Sequence, residues 1–393
     1  MATHPALVDT AAAPDSPRLS TRMLEILARL DYILLAAAAA LVGFGLWIVG
    51  TITRDDIRGD PSFFLSRQAL AAAVGAVVVA VLAGVNPNIL RRLRMPFYAA
   101  TIALLIGVLL TPEVRGTHRW IEVGSFNFQP SEFVKIMLAV VLAAFVANRA
   151  GAGVDFSTAA GAILLAVPPI VLVFVQPDLG TASLFVVGLV AVVFFGGASW
   201  RTLGSIAAVA VAVVAGLIWI LPANDVDILR PYQVDRLSGF LDPSSDPSGS
   251  TYNVNQSITA IGSGGLTGRG SEDATQTSSF FLPEHATDFV FSSAAEQHGF
   301  VGALALLLLY AVVVWRGIRI ISIAPSLFSA LLAGALIASL ICQVAINVGM
   351  TMGIAPVVGI PLPFVSYGGS SMVASLATIG VLMAIHVRGR MVS

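Results

Sequence analysis

Ten apolar runs, each close in length to the hydrocarbon core of a bilayer, dominate the pattern of hydrophobic and polar positions. They lie at roughly 32–52, 68–85, 95–111, 131–148, 157–175, 179–198, 202–222, 290–315, 326–351 and 366–387. A helix crosses the core with about twenty apolar residues, and shorter runs are completed by tilt or by snorkelling at their ends. The pattern predicts an all-α integral membrane fold of ten transmembrane helices, because helices satisfy all of their backbone polar groups within the segment. One long polar stretch interrupts the series. Residues 222–291, rich in Gly, Ser, Asp and Arg, separate the seventh run from the eighth and end in FFLPEHATDFVF. Long structured loops are usually functional, so Asp288, near the end of this one, is the first carboxylate to consider.

Residues 1–30 read as a disordered tail, and 31–390 as one polytopic membrane domain with a loop at 223–290. No convincing small-residue cleavage site follows the first run, so that span is expected to stay attached. Composition agrees with the pattern: 57% of residues are hydrophobic and 11% charged, far from the soluble average of about 25% charged. A net charge of −1 leaves no basic surface for nucleic acid. Cys342 is the sole cysteine, so no intrachain disulfide forms, and the five histidines lack zinc-site spacing. With a cytoplasmic N-terminus, inner segments hold twelve arginines, including the RRLR cluster at 91–94, and outer segments hold eight. The positive-inside rule therefore puts both termini inside and the long loop outside.

Ionisable groups next to or within apolar runs narrow the search, since each is costly there and faces a cavity or a partner. QPSEFVKI sets Glu132 and Lys135 three residues apart on one helix face near the outer end of the fourth run. They either neutralise each other or serve a site. Just before them, RGTHRWIEVGSFNFQP supplies Arg119, Trp120 and Gln129, where a Trp is ordinarily an interfacial anchor. Asp178, bracketed by Pro177 and Gly180, reads first as a cap on the sixth span. Arg67 opens the second span and snorkels to the headgroups on the bland reading. Glu296, about one turn into the eighth run, orders the helix entry or pairs with an Arg. PLPFVSYGGSS combines prolines, a Gly pair and hydroxyls, which marks close backbone packing or a re-entrant turn.

Six ordered blocks carry a family resemblance: RW at 119–120, FQPSEFVKI at 128–136, QPDLGTA at 176–182, the segment at 236–270 ending in IGSGGLTGRG, FLPEHATDF at 281–289 and GIPLPFVSYGGSS at 359–371. Together they resemble the SEDS family (shape, elongation, division and sporulation) from about Asp31 to Arg388. QPSE and IGSGGLTGRG look more like the RodA-type subgroup than the FtsW-type. SEDATQTSSF, at 271–280, is more acidic and hydroxyl-rich than the family pattern.

The resemblance implies a peptidoglycan glycosyltransferase that polymerises lipid II at the outer face of the bacterial cytoplasmic membrane during elongation. An FtsW-type division polymerase and a lipid II flippase are the alternatives. It implies that Asp288 is catalytic, as general base or as the ligand placing a divalent cation, Mg2+ or Mn2+. It implies that Arg67, Arg119, Trp120, Gln129, Glu132, Lys135 and Asp178 bind substrate, and that a class B penicillin-binding protein and other elongation or division proteins are partners. His285 offers an acid or base near neutral pH, but its position commonly varies in the family.

Overall fold

The computed structural model describes residues 25–57, 59–113, 117–124, 126–151, 153–216, 240, 251–278 and 281–392. The expected disordered tail up to residue 24, and Arg58, Arg115, Arg230 and Arg236 of the outer segments, lie outside these residues.

Every apolar run carries a helix. In chain order these are α1 (Tyr32–Ile52), α2 (Phe63–Gly84), the short α3 (Pro87–Arg92), α4 (Arg94–Leu109), α5 (Pro130–Arg149), α6 (Phe156–Val175), α7 (Leu179–Phe195) and α8 (Trp200–Ala215). After the long loop come α11 (Val290–Ser322), α12 (Leu327–Thr351) and α13 (Gly369–Val392), and within the loop lie α9 (Tyr252–Ser263) and α10 (Thr275–Ser278). Seven of them, α1, α2, α5, α6, α11, α12 and α13, are long and apolar enough to cross a membrane; α4, α7 and α8 are apolar but shorter. The chain is a multi-pass membrane protein.

One expectation needs correction. The fold is mostly helical but not all-α, because strands β1 (Ile121–Val123) and β2 (Phe126–Phe128) pair antiparallel with Ile121 opposite Phe128. Gly124, at φ 61°, supplies the left-handed conformation a tight hairpin turn needs. The described part of the long loop carries helix α9. α9 repeats apolar Val254, Ile258 and Ile261 at helical spacing, buries Ser257 and Ala260, and packs on α11 and α12.

Packing follows from small residues, since lipid offers no hydrophobic drive for helices to associate. α2 lays Leu70, Val74, Val77 and Val81 along its exposed face and buries Gln68, Ala71, Ala72 and Gly75. Its partner is α13, the most buried of the seven spans. A Cβ at Gly75 would come within 2.3 Å of Leu376 Cδ1, and one at Gly380 within 2.9 Å of Leu82 Cβ. At the other end of the bundle Asp31 caps α1 and takes Arg316 Nε at 2.8 Å and Nη2 at 2.6 Å, tying α1 to α11.

α11 is broken at Gly299, where φ is 64° and ψ is −163°. A continuous helix would pair the amides of Phe300 and Val301 with the carbonyls of Glu296 and Gln297. Instead Phe300 N donates to Gly265 O at 2.9 Å and Val301 N to Leu266 O at 3.1 Å. The vacated carbonyls accept from Arg269 N and Gly270 N, each at 3.0 Å. The loop segment thus replaces the lost rungs bond for bond. Only glycine fits so close an approach: a Cβ at Gly268 would sit 2.1 Å from Gln297 O, and one at Gly264 2.0 Å from Ala295 O. Among the described residues Glu296 holds α10 rather than an arginine: its carboxylate accepts from Gln276 N (2.9 Å), Thr277 N (3.0 Å) and Thr277 Oγ1 (2.6 Å).

Gly268→Ala, which adds a left-handed alanine at φ 84° to the backbone overlap, should cost about 2 kcal/mol or more. Gly262→Ala, in a helix with open space around it, should be neutral or gain up to about 1 kcal/mol. Thermal unfolding of the detergent-solubilised protein separates the two.

Candidate active site

Asp288 lies in the turn at 281–289, two residues before α11, with its side chain half-buried. The turn is not helical, so its carbonyls need partners from elsewhere. Three consecutive ones find them. Ala286 O accepts from Tyr367 N at 2.8 Å, Thr287 O from Ser366 Oγ at 2.5 Å, and Asp288 O from Asn347 Nδ2 at 2.9 Å.

The clamp is the non-helical segment between α12 and α13. Leu362 N donates to Ser366 Oγ at 2.7 Å, and Gln68 of α2 closes the far side, Nε2 donating to Ser366 O at 2.9 Å and Oε1 accepting from Gly368 N at 3.1 Å. Tyr310 donates its hydroxyl proton to Pro363 O. Buried Phe364 is held at φ 68° and Glu284, in the turn itself, at φ 53°. Such left-handed non-glycine residues cost on the order of 1–3 kcal/mol and persist only where surroundings over-determine them.

α12 links this clamp to the Glu132–Lys135 pair. Gln343 and Asn347, four residues apart, share one face of α12. Asn347 Nδ2 also donates to Ile360 O at 2.8 Å, and Gln343 Nε2 to Pro361 O at 2.9 Å. Gln343 Oε1 in turn accepts from Lys135 Nζ at 3.0 Å, and Lys135 Nζ reaches Glu132 Oε2 at 3.0 Å. Side-chain exposure of the pair is 9% for Lys135 and 3% for Glu132, so it is a buried ion pair within the first two turns of α5. One hydrogen-bonded path therefore runs from Glu132 through Lys135, Gln343, the 360–361 backbone and Asn347 to the backbone of Asp288.

Three of the remaining expected residues, Arg119, Gln129 and Asp178, gather around the start of α7, while Trp120 and Arg67 make their contacts elsewhere. Asp178 caps α7, Oδ1 accepting from Thr181 N at 3.1 Å and Oδ2 from Thr181 Oγ1 at 2.9 Å. Gln129 Nε2 donates to the same carboxylate at 3.4 Å, while Gln129 N donates to Ser370 Oγ at 2.9 Å. Arg119 donates Nε to Gln176 O at 3.0 Å and Nη2 to Pro177 O, satisfying carbonyls freed where α6 gives way to α7. Trp120 O accepts from Thr111 Oγ1 at 3.3 Å. Arg67, half-buried on α2, stacks its guanidinium 4.0 Å from the centre of the Phe63 ring. Sequence reading passed over Gln68, Gln343, Asn347 and Ser366 by attending to ionisable groups. A Gln and an Asn four residues apart inside an apolar run were the available signal, since neutral amides also need partners in lipid.

Removing one member of a buried ion pair strands the other charge, at a cost of about 3–5 kcal/mol. Lys135→Met should therefore lower the unfolding midpoint strongly, and Glu132→Gln combined with Lys135→Gln much less. A double-mutant cycle read by thermal unfolding in detergent measures the coupling.

Comparison with known proteins agrees with this architecture. The cell cycle protein family model for FtsW, RodA and SpoVE matches residues 29–391. The peptidoglycan glycosyltransferase MrdB of Escherichia coli K12 is 37% identical over 365 residues, covering 93% of this chain and 95% of its own. Stage V sporulation protein E of Bacillus subtilis is 35% identical over 361 residues, covering 90% and 96%. A chain from a solved peptidoglycan synthase complex that coordinates polymerization and crosslinking superposes with a TM-score of 0.76 at 32% identity, covering 92% of this chain and 98% of that one. The rod shape determining protein RodA of Thermus thermophilus superposes at 0.65 with 30% identity, covering 91% and 96%. By the extent of these matches along almost its whole length, the chain belongs to the SEDS family of FtsW, RodA and SpoVE proteins.

Proposed function

We propose that this protein is a peptidoglycan glycosyltransferase that polymerises lipid II at the outer face of the bacterial cytoplasmic membrane, with Asp288 as its general base. The observation that carries the reading is the pinned turn: a half-buried carboxylate whose backbone is fixed on three consecutive carbonyls and tied through Asn347 and Gln343 to the Lys135–Glu132 pair. The three shorter apolar helices complete ten crossings, with both termini cytoplasmic and the loop carrying Asp288 outside. A RodA-type role in elongation is favoured by MrdB at 37% identity against 33–35% for FtsW relatives such as those of Halothiobacillus neapolitanus and Thioalkalivibrio sulfidiphilus.

The chemistry asks for little more than this. Asp288 removes the proton from the acceptor sugar hydroxyl as that oxygen bonds to the anomeric carbon of the donor. The anomeric carbon–oxygen bond to the polyprenyl diphosphate breaks, and the diphosphate leaves with the electron pair. Lys135, oriented by Glu132 and Gln343, faces that developing charge, and the N-termini of α5, α7, α11 and α13, all at this end of the bundle, add the positive ends of their dipoles. Arg67, Arg119, Trp120, Gln129 and Asp178 shape the surface that receives the lipid-linked headgroup, with Asp178 acting through the fold of the α6–α7 break. Among the described residues no group of three or more His, Cys, Asp or Glu is placed to hold a metal ion. Mg2+ is commonly held by one or two carboxylates plus substrate phosphates rather than by an all-protein cage, so the alternative role of Asp288 is as the ligand that would place Mg2+ or Mn2+ against the diphosphate. The partner is a class B penicillin-binding protein, in line with the synthase complex whose chain this one matches.

Purified with such a partner, the wild-type protein should convert lipid II into glycan strands. Asp288→Ala and Asp288→Asn should lower the rate by about 10²- to 10⁴-fold without loss of folding or partner binding. Full polymerisation by either variant would remove Asp288 from the mechanism. Translocation of lipid II in vesicles with no polymer formed would replace the polymerase reading with the flippase.

A further inference from the structure

The turn that carries Asp288 is gripped from a second side. His285, buried and three residues before Asp288, points its Nε2 to within 3.3 Å of Asp56 Oδ2. Asp56 belongs to the segment that follows α1, far from the turn in sequence. At 3.3 Å the imidazole and the carboxylate are in direct polar contact. Ser293 Oγ, in the first turns of α11, donates to His285 O at 3.2 Å, so the residue is anchored at its backbone as well. Asp56 also lines a polar cleft of about 360 Å³ with Arg54, Asp55, Glu272, Thr277 and Gln297. The α12–α13 clamp holds the turn by its carbonyls 286–288, and the Asp56–His285 pair holds it by a side chain on the α1 side.

We propose that Asp56 and His285 are positioning residues for Asp288, a bridge from the first outer segment that fixes the height and direction of the catalytic turn. The inference rests on the polymerase reading given above. Neither group touches the reacting atoms; both act by limiting how far the turn can move. Rate is sensitive to this, because a displacement of about 1 Å at a reacting group can cost on the order of 10²-fold.

The electrostatics of the pair separate positioning from mere stabilisation. Burial raises the proton affinity of the Asp56 carboxyl, neighbouring Asp55 adds to this, and His285 opposes it without cancelling it. A carboxyl whose pKa is raised on folding contributes most stability below its unfolded pKa and loses that contribution as pH rises through the folded value. At neutral pH the charge on Asp56 is thus a net burden on the fold. The charged groups beside the pair are Asp55, next to Asp56 in the chain, and Arg54 and Glu272, which line the cleft with it.

The test uses the full-length protein with its transpeptidase partner, at neutral pH. Asp56→Asn keeps the shape and removes the charge. It should leave the unfolding midpoint unchanged or higher, lower lipid II polymerisation about ten- to a hundredfold, and speed hydrogen–deuterium exchange of the 281–289 amides severalfold. His285→Gln should do the same to rate and exchange, the double variant should be no worse than either single one, and Asp56→Glu should recover part of the rate. Unchanged polymerisation and exchange in Asp56→Asn, alongside an inactive Asp288→Ala control, would overturn the positioning role and leave the polymerase reading standing. A loss of rate without any change in exchange of the turn would overturn it too. Wild-type protein that makes no polymer would instead fail the underlying reading.

Discussion

Buried backbone carbonyls that belong to no helix have to be satisfied by protein, and in this fold that requirement fixes the position of Asp288. The carbonyls of Ala286, Thr287 and Asp288 lie in a turn between elements, and each accepts one bond, from Tyr367, Ser366 and Asn347 respectively. A neutral amide–carbonyl bond is worth only about 1 kcal/mol net, but leaving such a group buried and unpaired costs about 1–3 kcal/mol. The turn therefore has one well-satisfied arrangement. Because Asn347 bonds Ile360 O and Asp288 O with the same amide nitrogen, moving the turn disturbs the clamp as well.

The same constraint explains why the end of the bundle that carries Asp288 is assembled from broken elements. α11 gives up two helical rungs at Gly299 and the loop at 264–270 replaces them; α6 stops at Gln176 and Arg119 satisfies the carbonyls exposed there. Irregular backbone near a membrane survives only when protein surrounds it, and each break here is matched by a segment distant in sequence. The same end of the bundle carries its ionisable groups at helix starts. Glu132 and Lys135 share the first two turns of α5, and Asp288 precedes α11.

Much of this was legible in the chain. The apolar runs locate the helices, most ends to within about five residues, since a span has to be apolar over a fixed length whatever packs against it. The i,i+3 spacing of Glu132 and Lys135 already held the ion pair, and the Pro177–Asp178–Gly180 pattern held the cap on α7. Elements defined by long-range partners were hidden. The tenth run begins at 366, but α13 starts only at Gly369, because Ser366, Tyr367 and Gly368 are bonded to Thr287, Ala286 and Gln68. Helix α9 sits in a loop whose composition reads as irregular, and its apolar side finds its partner only once α11 and α12 are in place. Gln343 and Asn347 are neutral and look like tolerated polar residues until the segments they join are brought together.

Asn347 is where the clamp, α12 and the turn that carries Asp288 meet. Asn347→Leu keeps the volume and removes both donated bonds. Lipid II polymerisation by the purified variant with its partner, measured beside a thermal unfolding curve, is the direct test. A fall of about tenfold or more in protein that remains folded is the predicted result. Wild-type polymerisation by folded Asn347→Leu would contradict the claim that backbone pinning of the turn sets the position of Asp288.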